Sequence, residues 1–97
     1  MAVLTLVVFV KVADDGVSDL RDYEAAVLPL VLEHGGNLQR RLRTSDGVAE
    51  CHILQFPSWR SFENFRTDAR RADAAPLLAS SGAVIEVFEM TDVGHDL

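Results

Sequence analysis

Lysine is nearly absent from this chain of 97 residues: Lys11 stands alone among nine cationic side chains, and the other eight are arginine. Cysteine is scarcer than a disulfide requires. The single Cys51 excludes an intramolecular bridge and points to a reducing compartment. Net positive charge is missing as well. Fifteen acidic against nine basic side chains give a formal charge of −6, a field that repels phosphate, so no nucleic acid is expected as a partner. No apolar run is long enough to cross a bilayer. The opening MAVLTLVVFVKV has the hydropathy of a signal peptide but lacks its basic start and small-residue cleavage site. A soluble, cytoplasmic protein away from membranes is the expectation.

Motifs that carry chemistry are also few. The chain has no HxxxH, no CxxC and no serine in a nucleophile elbow, and Gly35-Gly36 is not a phosphate loop. Cys51 and His52 are neighbours, so on a strand they point to opposite faces and cannot grip one ion. Neither a metal nor a cofactor is expected.

What remains is ordinary globular composition, 48% apolar and 25% charged, which suits one domain over residues 1–97. Residues 2–12 are apolar on both parities and predict a central strand covered on both faces. The turn ADDG follows, and Ser18 is placed to cap a helix from about Asp19 to His34. Its stripe is Leu20, Tyr23, Val27, Leu30, Val31 and His34, with Ala25, Leu28 and Leu32 as a second apolar flank. Pro29 falls on the polar side, and Gly35-Gly36 supplies the stop.

Residues 37–44 and 48–56 predict a hairpin around Asp46-Gly47. A two-residue turn there pairs Ser45 with Val48, Arg43 with Glu50, Arg41 with His52, Gln39 with Leu54 and Asn37 with Phe56. The other face then holds Leu42 with Cys51, Arg40 with Ile53 and Leu38 with Gln55. Ser58 is placed to cap a second helix, with Phe62, Phe65 and Ala69 on one stripe and Trp59 beside it. A short third helix is expected from Asp73, with Pro76 in its first turn. Residues 83–91 predict the last strand, and the tail DVGHDL carries His95. The order is βαββαβ, an α+β ferredoxin-like arrangement with a four-stranded antiparallel sheet. Both helices cover one face, so the apolar second face calls for a second copy, packed sheet to sheet.

The helical Tyr23, HGG at 34–36, the arginine-rich strand and FPSW at 56–59 resemble a small bacterial domain family of the dimeric α+β barrel superfamily. That superfamily includes antibiotic-biosynthesis monooxygenases, muconolactone isomerases, polyketide cyclases and chlorite-dismutase-like haem proteins. The resemblance spans nearly the whole chain and implies a homodimer with a cleft between sheet and helices. It does not transfer a reaction. The haem of the chlorite-dismutase relatives would need a proximal histidine in a larger pocket.

Two histidines are candidate catalytic residues. His52 lies mid-strand, two residues from Glu50 and opposite Arg41, where the cation lowers its pKa toward a neutral base and Glu50 does the opposite. The other reading of His52 is a polar pair filling a dimer interface, and it is the one slightly favoured. His34 either complements a helix C-terminus or points into the cleft beside Asn37. Tyr23, Asn37, Arg41 and Trp59 are the candidate substrate-binding residues, with Tyr23 and Trp59 also fitting as packing groups. Two functions follow. One is cofactor-independent oxygenation, isomerisation or cyclisation of a small organic molecule, aromatic or polyketide-like. The other is a non-catalytic homodimer that binds a small molecule or supports an enzyme.

Overall fold

The apolar first strand, β1 (Leu4–Lys11), runs through the middle of the sheet in a computed structural model that describes residues 3–94. Helix α1 (Val17–Glu33), strands β2 (Asn37–Arg43) and β3 (Ala49–Phe56), helices α2 (Trp59–Arg66) and α3 (Ala69–Ser81), and strand β4 (Val84–Met90) follow. The sheet order is β2-β3-β1-β4 with every pair antiparallel. This is the expected α+β order, with the third helix following the second before the last strand. Alternation assigns the faces. Leu4, Leu6, Val8 and Val10 of β1 lie beside Phe56, Leu54, His52 and Glu50 of β3, on the face that the helices cover. Val7 and Phe9 lie with Ile53 and Cys51 on the other face.

Helix α1 starts two residues earlier than expected, out of a one-turn 3-10 segment at Asp14–Gly16. Its cap position is Gly16, and Ser18 lies inside the first turn instead of capping it. Close packing dictates the entry: a Cβ on Gly16 would stand 2.0 Å from the Ser81 carbonyl oxygen at the end of α3. The buried stripe is Leu20, Tyr23, Glu24, Val27, Leu30 and Val31. Of the second flank, Ala25 and Leu32 are exposed and Leu28 is half-buried. Pro29 is on the solvent side, as its position in the pattern required. At the C-terminus Gly35 takes φ +78°, Gly35 N donates to Leu32 O and Gly36 N donates to Val31 O, a Schellman stop.

The hairpin keeps the expected pairs Arg43–Glu50, Leu42–Cys51, Arg41–His52 and Arg40–Ile53, but its turn is wider. Thr44 N donates to Ala49 O and Gly47 N to Thr44 O, so Ser45–Val48 form a four-residue loop with Gly47 at φ +81°. The loop is symmetric about Asp46-Gly47, and so preserves the register of a two-residue turn. Beyond Arg40 the register shifts at a bulge, pairing Leu38 with Leu54 and Asn37 with Gln55 in place of the expected partners. The extra residue moves Leu38 to the helix side, where it packs against the core.

Ser58 caps α2 by accepting from Ser61 N, as expected. Helix α3 begins at Ala69, four residues before Asp73, because Asp68 accepts from Arg70 N and caps it there. Ala69 is consequently exposed in α3 instead of joining Phe62 and Phe65, and Pro76 lies inside the helix instead of in its first turn. Phe56 is fully buried, with the rings of Phe62 and Phe65 at 5.6 and 5.4 Å. All seven residues of β4 are exposed, and His95 lies outside the described residues.

Gly36 approaches that ring closely: an added Cβ would meet Phe56 Cε1 at 2.7 Å and Val31 Cγ1 at 2.9 Å. Gly36→Ala is therefore expected to lower stability by about 1–3 kcal/mol through overpacking. A urea titration checks this, with the midpoint lowered and the slope unchanged.

Candidate active site

Three elements bring five charged side chains together. The α1 stripe places Glu24 against the sheet, β3 supplies Glu50 and His52 two residues apart on one face, and β2 supplies Arg41 and Arg43 opposite them. Glu24, Glu50 and His52 are buried. Arg41 bridges the two carboxylates, with Nε 3.0 Å from Glu50 Oε1 and Nη2 3.1 Å from Glu24 Oε1. Arg43 Nε donates to Glu50 Oε2 at 2.9 Å. His52 Nε2 lies 2.7 Å from Glu50 Oε1 and 3.3 Å from Glu24 Oε2.

Burial pushes the Glu50 carboxyl up, but donation from His52, Arg41 and Arg43 outweighs it and holds the pKa down at about 2. Burial pushes His52 down, yet Glu24 and Glu50 together raise its pKa above the ordinary histidine value. Arg41 does not reverse this, because its charge is spent on the same carboxylates. His52 thus favours the imidazolium form over the neutral base that a facing arginine had suggested. The short contact of His52 Nε2 is to Glu50 Oε1, and its longer approach to Glu24 Oε2 falls outside hydrogen-bond geometry. Glu24 Oε2 is left buried without a hydrogen-bond partner. The ligating atoms of Glu24, Glu50 and His52 lie within 4.8 Å of one another, close enough for an ion. A divalent cation there would face two guanidiniums already engaged with those carboxylates.

The cluster opens onto a cavity of about 150 Å³ between the sheet and the helices. Its wall is mainly apolar, from residues such as Leu6, Val8, Val27, Leu54 and Phe62, and its polar groups are His52, Glu24, Tyr23 and Arg71. Ile85 and Val87 of β4 also line it and are 36% and 51% exposed, so the cavity reaches the surface beside that strand. Cavities of about this size accommodate a benzene-sized molecule. Arg71 Nη2 donates to the Tyr23 hydroxyl at 3.1 Å, and its guanidinium lies 4.8 Å from the centre of the Phe65 ring.

Of the candidates read from the sequence, His52 and Tyr23 line this cavity. Arg41 stands behind it as the bridge between Glu24 and Glu50. His34 is elsewhere: its Nε2 pairs with Asp68 Oδ2 at 2.8 Å, tying the end of α1 to the start of α3. Asn37 is exposed on the edge strand β2, and Trp59 is 54% exposed with its ring edge-on to Phe62. Glu24 and Arg71 were missed. Glu24 was detectable, since a carboxylate four residues after Leu20 and three before Val27 sits on the apolar stripe.

No family model and no curated protein matches the chain by sequence. Solved structures do match. SnoaB, a cofactor-independent oxygenase from Streptomyces nogalater, superposes with a TM-score of 0.78 at 14% identity, covering 99% of this chain and 98% of that one. The chain shares its fold. A candidate antibiotic biosynthesis monooxygenase from Caulobacter crescentus gives 0.72 at 11% identity over 93% and 91%. Rv0793 from Mycobacterium tuberculosis gives 0.68 at 16% identity over 97% and 100%. The ferredoxin-like α+β domain is common to them, and identities this low establish the fold alone. Among the described residues no helix is long and apolar enough to cross a membrane.

The cluster sets the pH range of stability. His52, with its raised pKa, contributes fully below 6.5, and its contribution is lost as pH rises through the folded value. Glu50, with its lowered pKa, contributes above 4.5 and loses that contribution as pH falls toward about 2. Thermal melts are expected to be flat between those limits, and His52→Gln is expected to flatten the alkaline decline specifically. An NMR titration checks the origin: Glu24→Gln should lower the His52 pKa, and an unchanged value would remove Glu24 from the account.

Proposed function

We propose that the cavity binds a small, mainly apolar organic molecule carrying an acidic C–H or O–H, and that Glu24 takes that proton. The observation that carries this reading is the buried Glu24 Oε2, an atom with no hydrogen-bond partner on a residue that lines the cavity. Arg41 occupies Oε1 of this carboxylate and leaves Oε2 as the atom to receive a substrate proton in a water-poor site. His52, protonated beside it, makes no hydrogen bond through Nδ1 among the described residues. That N–H is available to stabilise the enolate or phenolate as its charge develops.

An enolate so formed is electron-rich enough to react with dioxygen. In the overall change a CH₂ carbon next to the activating group becomes a carbonyl, one oxygen atom ends in that carbonyl, and the other leaves as water with the two hydrogens. The substrate supplies all four electrons. The shared fold with SnoaB, a cofactor-independent oxygenase, supports oxygenation ahead of isomerisation or cyclisation. Deuterium exchange into a small enolisable ketone such as indanone, followed by NMR, tests the proton step apart from oxidation. The wild type is expected to accelerate exchange, and Glu24→Gln to lose about 10²-fold or more of that acceleration with its fold intact by thermal melting. Equal exchange by both proteins would take Glu24 out of the chemistry. No acceleration by either would leave the non-catalytic binding role.

The second sheet face supports a homodimer. Phe9, Leu42, Val84, Phe88 and Met90 are all exposed on it, and Phe9 meets Phe88 edge-on at 6.0 Å. Apolar groups exposed on a sheet face with no helix over it are stabilised by a second copy packed sheet to sheet. Light scattering is expected to give twice the chain mass at micromolar concentration and the single mass for Phe88→Glu. A wild-type monomer would overturn this assembly.

A further inference from the structure

Among the described residues, Arg71 is the one guanidinium that is drawn into the interior without a carboxylate. Arg41, Arg43, Arg66 and Arg70 are each matched to a glutamate or aspartate. Arg21, Arg40 and Arg60 are exposed to water. Arg71 instead donates to neutral oxygens, Nη1 to the Arg66 carbonyl and Nη2 to the Tyr23 hydroxyl. Its Nε is buried with no partner at all. Arg71 is half-buried, and a guanidinium whose buried N–H has no acceptor is unfavourable unless something negative completes it. The Tyr23 oxygen is already an acceptor for Arg71, so its own proton is free to donate in the same region. Both residues line the cavity.

We propose that Arg71 and Tyr23 form the receptor for an ionised oxygen on the ligand, which is therefore a small ring bearing a carboxylate, phenolate or enolate. This rests on the reading of the cavity as the ligand site. It adds a second pole to that site: the charged oxygen is held at Arg71, and the apolar ring lies along Phe62 and Leu54. Charge assistance makes such a contact stronger than a neutral hydrogen bond, and the planar fork of arginine suits a carboxylate in particular.

Binding of four probes, measured by calorimetry, tests the proposal. Toluene reports the cavity alone. Benzoate and pentafluorophenolate, both ionised at neutral pH, are compared with neutral benzyl alcohol. The wild type is expected to prefer at least one of the two anions to benzyl alcohol by about ten-fold or more, and which one it prefers distinguishes a carboxylate from a phenolate or enolate. Arg71→Met is expected to lose that preference while still binding toluene, which shows that fold and cavity survive. In the unaltered protein the Arg71 Nε–H resonance is expected to move on adding the preferred anion and not on adding benzyl alcohol, a readout that does not depend on the variant folding. Anion binding no tighter than benzyl alcohol, or equally tight in Arg71→Met, would overturn the receptor while leaving the cavity reading intact. The same preference lost in His52→Gln but kept in Arg71→Met would place the anion at the other pole and also overturn it. Failure of toluene and both anions to bind the wild type would overturn receptor and ligand site together.

Discussion

Glu24, Glu50 and His52 lie together at 3–5% exposure, and ionisable groups this far from water must neutralise one another or give up their charge. The chain meets this constraint with Arg41 and Arg43, whose stems reach over the sheet edge while their guanidiniums close on the carboxylates. The consequences are mechanical as well as electrostatic. Arg41 joins α1 to β3 through two carboxylates, so the helix cannot slide along the sheet without separating a buried pair. The arginine-rich stretch LQRRLR therefore serves the interior as much as the surface. Arg40, with opposite parity, is exposed on the other face and takes no part.

The same network decides where the protons sit. Had Arg41 faced His52 alone, the imidazole would have been held neutral. With Glu24 on the stripe, the arginine is shared between carboxylates, and the two carboxylates together raise the His52 pKa. One residue on α1 thus reverses the direction in which the His52 pKa moves.

What was legible in the sequence was what periodicity encodes. Strand β1 is apolar on both parities, the α1 stripe has helical spacing, and Gly35-Gly36 and Ser58 mark a stop and a start that the structure uses as written. The hairpin register over Arg40–Arg43 was legible because Arg43 opposite Glu50 satisfies charge and alternation together. Three features were not. The bulge before Arg40 answers to the core's need for Leu38, a tertiary demand with no local signature. The start of α3 was ambiguous because Asp68 and Asp73 are equally good caps, and only packing against α1 chooses between them. Arg71 inherits that ambiguity, since its direction depends on where the helix begins. The polar half of the candidate site was therefore the harder half to read: Tyr23 and His52 sit on clear patterns, whereas Glu24 breaks one and Arg71 follows none.

Strand parity connects the two faces of the sheet. On β3, Glu50 and His52 turn toward the helices, while Cys51 and Ile53 turn toward the face that a second copy would cover. On β2, Arg41 and Arg43 belong to the first face and Leu42 to the second. A one-residue slip of the hairpin would carry charges onto the apolar face and apolar groups into the ionic cluster, so each face enforces the register that the other needs. The bulge at the far end of β2 is permissible because it lies beyond Arg40, after the last residue whose parity the cluster depends on. The ionic cluster on one side and the exposed apolar groups on the other are thus constrained by the same few pairings, Arg43–Glu50 and Arg41–His52 among them. Relaxing either face would loosen both.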